Sequence, residues 1–459
     1  MKINVRKSTY LLFCCMLSIF TTLFSVVFSR SVIYIKFIFP ILVLVTLIII
    51  FLDYKNIYHS VLNFDSMFIF VFWVFTMSRQ LTYLFGYQSY SSPYTYKGIE
   101  EYCRAYLFSY LCLIFYYFGS WFRPIRFNKE LVIYNTNLMI RLRKALLTII
   151  FILSIPTVWY YYRLISTALV ASYGSREFDS LITNTGYLVS LFHNWAVISI
   201  VALLALQIMI SKKNYLFLLI IYLSMTVLSL FAGSRSEGIS LLIVFAYVFS
   251  EKTKKRYLYL ILPIAFLFIS SLIPLFYELR KDLSAISSIR ISSFVGISSL
   301  LSAIHEMGGS EAPLLLVMSN NYVEFGKSYL LAFLNTLFNF LPLSFRPDFT
   351  SIGPHSLASY YSRLLGLEYG LGFSLVAEAF LNFRWFGFFV FFIFRFGLSN
   401  LIGKSNYIDT YLIKIILIFL LLTMPRRESK DLFLSIFYYW IPFVLLFRTI
   451  RKNAIRKGV

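Results

Sequence analysis

Long, predominantly apolar runs recur from one end of the chain to the other, and nothing else restricts its folding as severely. Tyr10–Ser29, Val32–Leu52, Leu216–Ala232 and Tyr257–Phe276 are examples. At a rise of about 1.5 Å per residue, helices of this length cross a hydrocarbon layer about 30 Å thick. Lipid offers no partner for a free backbone amide, so each such run has to be helical. The 459 residues are 59% hydrophobic and 14% charged, against roughly a quarter charged in an ordinary soluble domain. A water-soluble core cannot absorb that much apolar side chain.

Hydrophobic runs separated by charged or Pro/Gly-rich gaps predict about twelve spans, at 10–29, 32–52, 66–85, 105–122, 145–165, 187–210, 215–232, 237–250, 257–276, 374–398, 411–424 and 432–447. The formal net charge is +22, but the basic residues sit at span ends, not in a nucleic-acid footprint. They cluster at Lys2/Arg6/Lys7, Arg123 to Lys144, Lys212/Lys213, Lys252 to Arg256 and Arg448 to Lys457. With both termini cytoplasmic, all these clusters fall on the cytoplasmic side and obey the positive-inside tendency. The first run follows a basic start, yet it is too long for a signal-peptide core and further spans follow at once, so it reads as a retained helix. Cys14, Cys15, Cys103 and Cys112 lie in or beside spans without ligand spacing.

The expected fold is thus an all-α polytopic transmembrane bundle in three parts. Residues 1–276 hold about nine spans, 277–373 form one large outer-face loop with short amphipathic helices, and 374–459 return to spans with a basic cytoplasmic tail. Within the loop, Leu330–Leu341 is apolar on most of its surface, while Ser328, Asn335 and Asn339 recur at helical spacing. Such a helix lies in the interface or packs on the bundle.

Ionisable residues at membrane depth or at the mouth of a bundle are costly, which marks each as a functional candidate. Gly233-Ser234-Arg235 forms a tight outer turn between two apolar runs, and Arg426-Arg427-Glu428-Ser429 forms another near the carboxyl end. The large loop adds Arg280, Lys281, Arg290, His305, Glu306, Arg346, His355 and Arg363. Outer arginines that break the positive-inside tendency suggest a bound anion, and the guanidinium fork suits phosphate oxygens; the alternative is snorkelling to lipid headgroups. Glu378 lies about a turn inside a hydrophobic helix, with Ser374 and Asn382 on the same face. It is either a base or a carboxylate holding helices together. Glu306 is a rival base, and Tyr360 and Tyr361 could stack on sugar rings. His59 and His193 read as structural. HExxH, DxD on an outer loop, Walker and dinucleotide signatures are missing from the sequence, which leaves metal and nucleotide cofactors without support.

Gly233-Ser234-Arg235, the segment Gly370 to Phe383 with Gly387, His305–Ser310 and Arg426–Ser429, set in this order of spans and loop, resemble the Wzy-type O-antigen polymerases. One departure is Arg384, where the family motif has glycine after Asn-Phe. The resemblance implies a GT-C-like inner-membrane glycosyltransferase that joins undecaprenyl-pyrophosphate-linked oligosaccharide repeat units at the periplasmic face without metal or cofactor. Its further implied partners are membrane lipid and a chain-length regulator, a polysaccharide co-polymerase. On that reading Arg235, Arg290, Arg426 and Arg427 bind pyrophosphate, and Glu378, then His355, is the base. A lipid-linked oligosaccharide flippase and an O-antigen ligase are the competing readings.

Overall fold

A computed structural model describes residues 13–14, 16–18, 20–21, 24, 38–58, 63–85, 99–122, 136–170, 187–210, 215–232, 238, 241–246, 297–319, 323–339, 345, 347, 356–364, 366, 372–401 and 408–456. Helices α1 (Phe39–Tyr58), α2 (Phe64–Thr76), α3 (Arg79–Leu84), α4 (Ile99–Phe122), α5 (Thr136–Val170), α6 (Tyr187–Ile210) and α7 (Tyr215–Phe231) come first. The middle of the chain supplies α8 (Ile297–Met307), α9 (Ala312–Ser319), α10 (Lys327–Phe338) and α11 (Leu357–Leu364). Then follow α12 (Leu375–Phe383), α13 (Phe388–Leu401), α14 (Ile408–Leu421), α15 (Ser429–Leu434) and α16 (Ile441–Arg456). No strand occurs among the described residues. Among the described residues, six helices or helix runs are long and apolar enough to cross a membrane: Phe39–Tyr58, Glu101–Phe122, Leu188–Leu206, Leu375–Ser399, Ile408–Arg426 and Ser429–Ala454. Two shorter apolar helices, Phe64–Thr76 and Phe217–Phe231, accompany them.

Several expected spans differ in detail. The run expected at 66–85 is two helices, because Met77 leaves helical geometry and the Ser78 hydroxyl donates to Val74 O at 2.5 Å and to Ile304 O at 2.9 Å. The run at 374–398 breaks at a 3-10 turn, Arg384–Gly387, between α12 and α13. The run at 432–447 continues from α15 through a π-helical turn, Ser435–Trp440, into α16. Helix α5 starts nine residues before the expected 145 and spans 35 residues, Pro156 included.

Contacts between helices sort into two tiers. Asp65 opens α2, caught by Arg395 Nε and Nη2 at 2.5 and 2.8 Å and by the Tyr58 hydroxyl at 2.6 Å. Arg451 pairs with Asp409 at 3.2 Å and Arg141 reaches Asn453 O at 3.3 Å in the same tier. The opposite tier gathers the end of α2, the start of α12 and the start of α15, roughly 20 Å away by the length of α2. Aromatic rings fill the space between, such as Phe108 against Phe380 at 4.9 Å and Phe115 against Phe388 at 4.2 Å.

The middle segment is folded into this core. Leu314, Leu315, Leu316 and Val317 of α9 are buried in the same apolar cluster as Phe380 and Leu381, and α9 packs on both α4 and α12. Helix α10 lies along α15, with Phe333 edge-on to Phe433 and Phe437. His193 is buried, its ring stacked on Tyr160 at 4.0 Å, in agreement with a structural role.

Candidate functional site

Ser374 caps α12, its hydroxyl accepting from the Ala377 amide at 3.2 Å, and the turn that follows carries Glu378 inward, where it is 1% exposed. Three donors meet its carboxylate. The Ser429 amide reaches Oε2 at 2.6 Å, the Ser429 hydroxyl reaches Oε1 at 2.6 Å, and the Ser328 hydroxyl reaches Oε1 at 3.0 Å. Ser429 is the first residue of α15 and Ser328 lies in the first turn of α10. A carboxylate there neutralises the positive ends of two helices as well as accepting their hydrogen bonds. Asn382, one turn further along α12, donates from Nδ2 to Ser328 Oγ at 2.6 Å and to Glu378 O at 2.8 Å. The polar face Ser374/Glu378/Asn382 does look into the bundle, and its partners come from the middle segment and the last span.

Beside Ser429, Glu428 makes the complementary connection. Its Oε2 accepts from the Leu357 amide at 2.8 Å and the Ala358 amide at 3.4 Å, capping α11. Burial raises the Glu428 carboxyl above the ordinary range, with Asp431 acting in the same direction and Lys430 opposing. The chain 426–429 is therefore clamped through adjacent residues, Ser429 to Glu378 of α12, which Ser328 of α10 also meets, and Glu428 to α11. This clamp presents Arg426 and Arg427, both only partly buried. The Arg426 guanidinium lies 5.5 Å over the ring of Phe75, a cation–π contact that ties the turn to the end of α2.

The same end of α2 supports a second polar cluster. Arg79 Nη1 pairs with Glu311 at 2.9 Å and Arg79 Nε donates to His305 O at 3.0 Å. His305 Nδ1 and the Thr82 hydroxyl are 2.9 Å apart. A Cβ on Gly308 would lie 2.8 Å from Arg79 Cγ and 2.9 Å from Arg79 N, so the glycine is required by the arginine's close approach. Burial and the neighbouring Arg79 charge push the His305 imidazole down to about 4. Burial likewise raises Glu311, with Arg79 opposing.

Among the expected site residues, the structure brings Glu378, Arg426 and Arg427 together at one end of the bundle. Arg235, Arg290 and His355 lie outside the described residues, as do Arg280, Lys281, Arg346 and the side chain of Glu306. Tyr361 is buried and stacked on Phe373 at 5.3 Å, a packing role. Tyr360 is more open and meets Tyr361 edge-on at 5.2 Å. Sequence reasoning missed Arg79 and Glu311, and it noted Ser328 in a polar helical stripe and Ser429 in an outer turn without joining either to Glu378. Arg79 was counted as the interior of a span, although an arginine in such a run is itself a signal. No group of three or more His, Cys, Asp or Glu side chains that could hold a metal ion occurs among the described residues.

Comparisons with curated proteins and with solved structures give no match. A family model described as O-antigen polysaccharide polymerase Wzy matches residues 10–457. The match takes in both polar clusters and every candidate span, and the chain belongs to the O-antigen polysaccharide polymerase Wzy family.

Proposed function

We propose that this protein polymerises undecaprenyl-pyrophosphate-linked oligosaccharide repeat units at the periplasmic face of the inner membrane. The bond between the anomeric carbon of the donor's first sugar and its phosphate oxygen breaks. A bond from that carbon to a hydroxyl oxygen of the incoming unit forms. Undecaprenyl pyrophosphate leaves with the bonding electron pair, and the hydroxyl proton passes to a base. A leaving pyrophosphate needs positive charge where negative charge develops, which is the role of Arg426 and Arg427, joined by Arg235 and Arg290. The observation that carries the reading is the double clamp of 426–429 by Glu378 and the α11 amides, which fixes two arginines at one end of the bundle.

Glu378 is enclosed and its oxygens are occupied, so in this arrangement it positions the arginine turn. His355 precedes Leu357, whose amide Glu428 holds, and is the base of the proposal. The scheme uses no metal and no nucleotide sugar. It carries with it about twelve spans in a GT-C-like arrangement, cytoplasmic termini, and a chain-length regulator as partner. The test is a surface-polysaccharide gel from cells lacking the gene, beside the same cells complemented. Deletion that leaves a single repeat unit on the lipid core, with the ladder restored by complementation, supports polymerisation. Loss of all units from the surface would move the assignment to a flippase or ligase.

A further inference from the structure

Helices α5 and α16 meet in the tier away from the arginine turn, and together they are unbalanced in charge. They pack on each other, and Arg141, near the start of α5, reaches Asn453 O, near the end of α16, at 3.3 Å. Neither helix contains an acidic residue anywhere along its length. Cations nonetheless gather where they meet, Arg141 and Lys144 from α5 and Arg448, Arg451 and Lys452 from α16. Among the described residues the carboxylate they meet is Asp409 of α14, which pairs with Arg451 at 3.2 Å and lies within electrostatic reach of Arg448. One carboxylate does not balance this set, so an excess of positive charge stays on the surface.

Helical spacing collects that excess along one seam. Arg141, Lys144, Thr148 and Ile152 stand at i, i+3, i+7 and i+11 on α5, and Leu445, Arg448 and Lys452 at i, i+3 and i+7 on α16, so each set lines one face of its helix. Lys144, Arg448 and Lys452 are exposed. Farther along both helices, toward the middle of the bundle, the exposed side chains turn apolar, with Phe151 and Ile152 on α5 and Leu445 on α16.

A cationic rim above an exposed apolar face is the layout of a phospholipid, with phosphate at the rim and acyl chains beneath it. Snorkelling of single side chains to scattered headgroups accounts for an isolated lysine. Here the cations come from two helices that the Arg141–Asn453 contact fixes side by side, and a basic pocket between spanning helices suits a headgroup with more than one phosphate.

We propose that the seam between the start of α5 and the end of α16 binds a dianionic phospholipid of the cardiolipin class. Arg141, Lys144, Arg448 and Lys452 hold its phosphates, and its acyl chains lie over Phe151, Ile152 and Leu445. The site is independent of the polymerase reading. Along the continuous run Ser429–Ala454, Arg448 stands roughly 30 Å from Ser429 by helical rise, so the lipid acts by bracing the last helix against α5 and not by touching the clamp.

The experiment uses the full chain, stripped of lipid in detergent, with tetraoleoyl cardiolipin or dioleoyl phosphatidylglycerol added at equal phosphate. Native mass spectrometry counts bound lipid, and thermal unfolding reads the stabilisation that binding confers. The variants are Lys144→Gln, the double variant Arg448→Gln/Lys452→Gln, and Lys55→Gln, which removes an exposed charge from the last turn of α1. Wild type should retain a single cardiolipin per chain and unfold at a higher temperature with it than with phosphatidylglycerol. Lys144→Gln should weaken cardiolipin binding about fivefold and the double variant about twentyfold or more, while Lys55→Gln binds as wild type. The substituted side chains are exposed, so lipid-free unfolding should stay close to wild type; should the double variant fail to fold, Lys144→Gln on the other helix decides alone. Undiminished cardiolipin binding by Lys144→Gln overturns the inference. So does equal retention of phosphatidylglycerol, which would make the seam a general anionic-lipid contact, or a loss in Lys55→Gln as large as in Lys144→Gln.

Discussion

Replacing Glu378 separates a positioning role from a base role. In Glu378→Ala the Ser429 amide, the Ser429 hydroxyl and the Ser328 hydroxyl lose their acceptor inside the protein. Each buried donor left unsatisfied costs about 1–3 kcal/mol, so even partial rearrangement leaves about 3–5 kcal/mol of destabilisation. The loss should concentrate where α12, α10 and α15 meet. Glu378→Gln keeps one oxygen for the amide and turns an NH2 toward hydroxyls that can rotate to accept, so it gives up charge assistance worth about 1 kcal/mol per bond. The assay pairs thermal unfolding of purified protein, followed by size-exclusion fluorescence, with the polysaccharide ladder in complemented cells. Alanine should lower the midpoint by several degrees and abolish long chains, whereas glutamine should fold and keep a shortened ladder. A Glu378→Ala protein with the midpoint and ladder of wild type would refute the clamp. A well-folded Glu378→Gln protein with no polymer would return the carboxylate to direct proton transfer.

Three further outcomes follow from the packing. Gly387→Ala places a Cβ 2.3 Å from Ala379 O and 2.6 Å from Ala379 C, backbone atoms that cannot swing away, so a loss of about 3 kcal/mol or more is expected and is checked by unfolding midpoint. Asp65→Asn breaks the bidentate pair with Arg395 and leaves a buried cation, at a cost of about 3–5 kcal/mol; expression as a monodisperse peak should fall, while Asp65→Asn with an unaltered midpoint would contradict the pairing. His305 is neutral in the fold down to about pH 4 but takes a proton near pH 6.5 when unfolded. The unfolded state therefore binds more protons between these values, and stability falls as pH drops through that window. After allowance for solvent screening, the loss is about 1–2 kcal/mol, and a His305→Gln variant should show a flatter pH dependence.

Long apolar runs in the sequence located several of the long helices. The expected 187–210 coincides with α6, and 215–232 with α7 to within a residue. Helix α5 was cut short because Arg141, Arg143 and Lys144 read as a loop, although charged residues continue a helix readily where its end is solvated. The break after α2 was illegible for a different reason. It depends on Ser78 meeting Ile304 O, 226 residues away, a tertiary contact that no local pattern announces. The polar face of Ser374, Glu378 and Asn382 was legible from helical spacing, but its partners Ser328 and Ser429 come from remote elements. The His305–Ser310 motif was noticed without its reason. Its glycines make room for Arg79, and only the fold brings that arginine to them. At Arg384 the sequence departs from glycine, and the backbone there still has a glycine-like φ of 52°.

The most direct test of the central claim supplies the purified chain in lipid nanodiscs with an undecaprenyl-pyrophosphate-linked repeat unit as the sole sugar source, in the presence of a chelator and without nucleotide sugar. The account predicts products of two or more repeats, one undecaprenyl pyrophosphate released per new linkage, and loss of both in an Arg426→Ala/Arg427→Ala variant. Repeat units that remain single with the folded wild-type chain, or elongation that survives removal of both arginines, would contradict it.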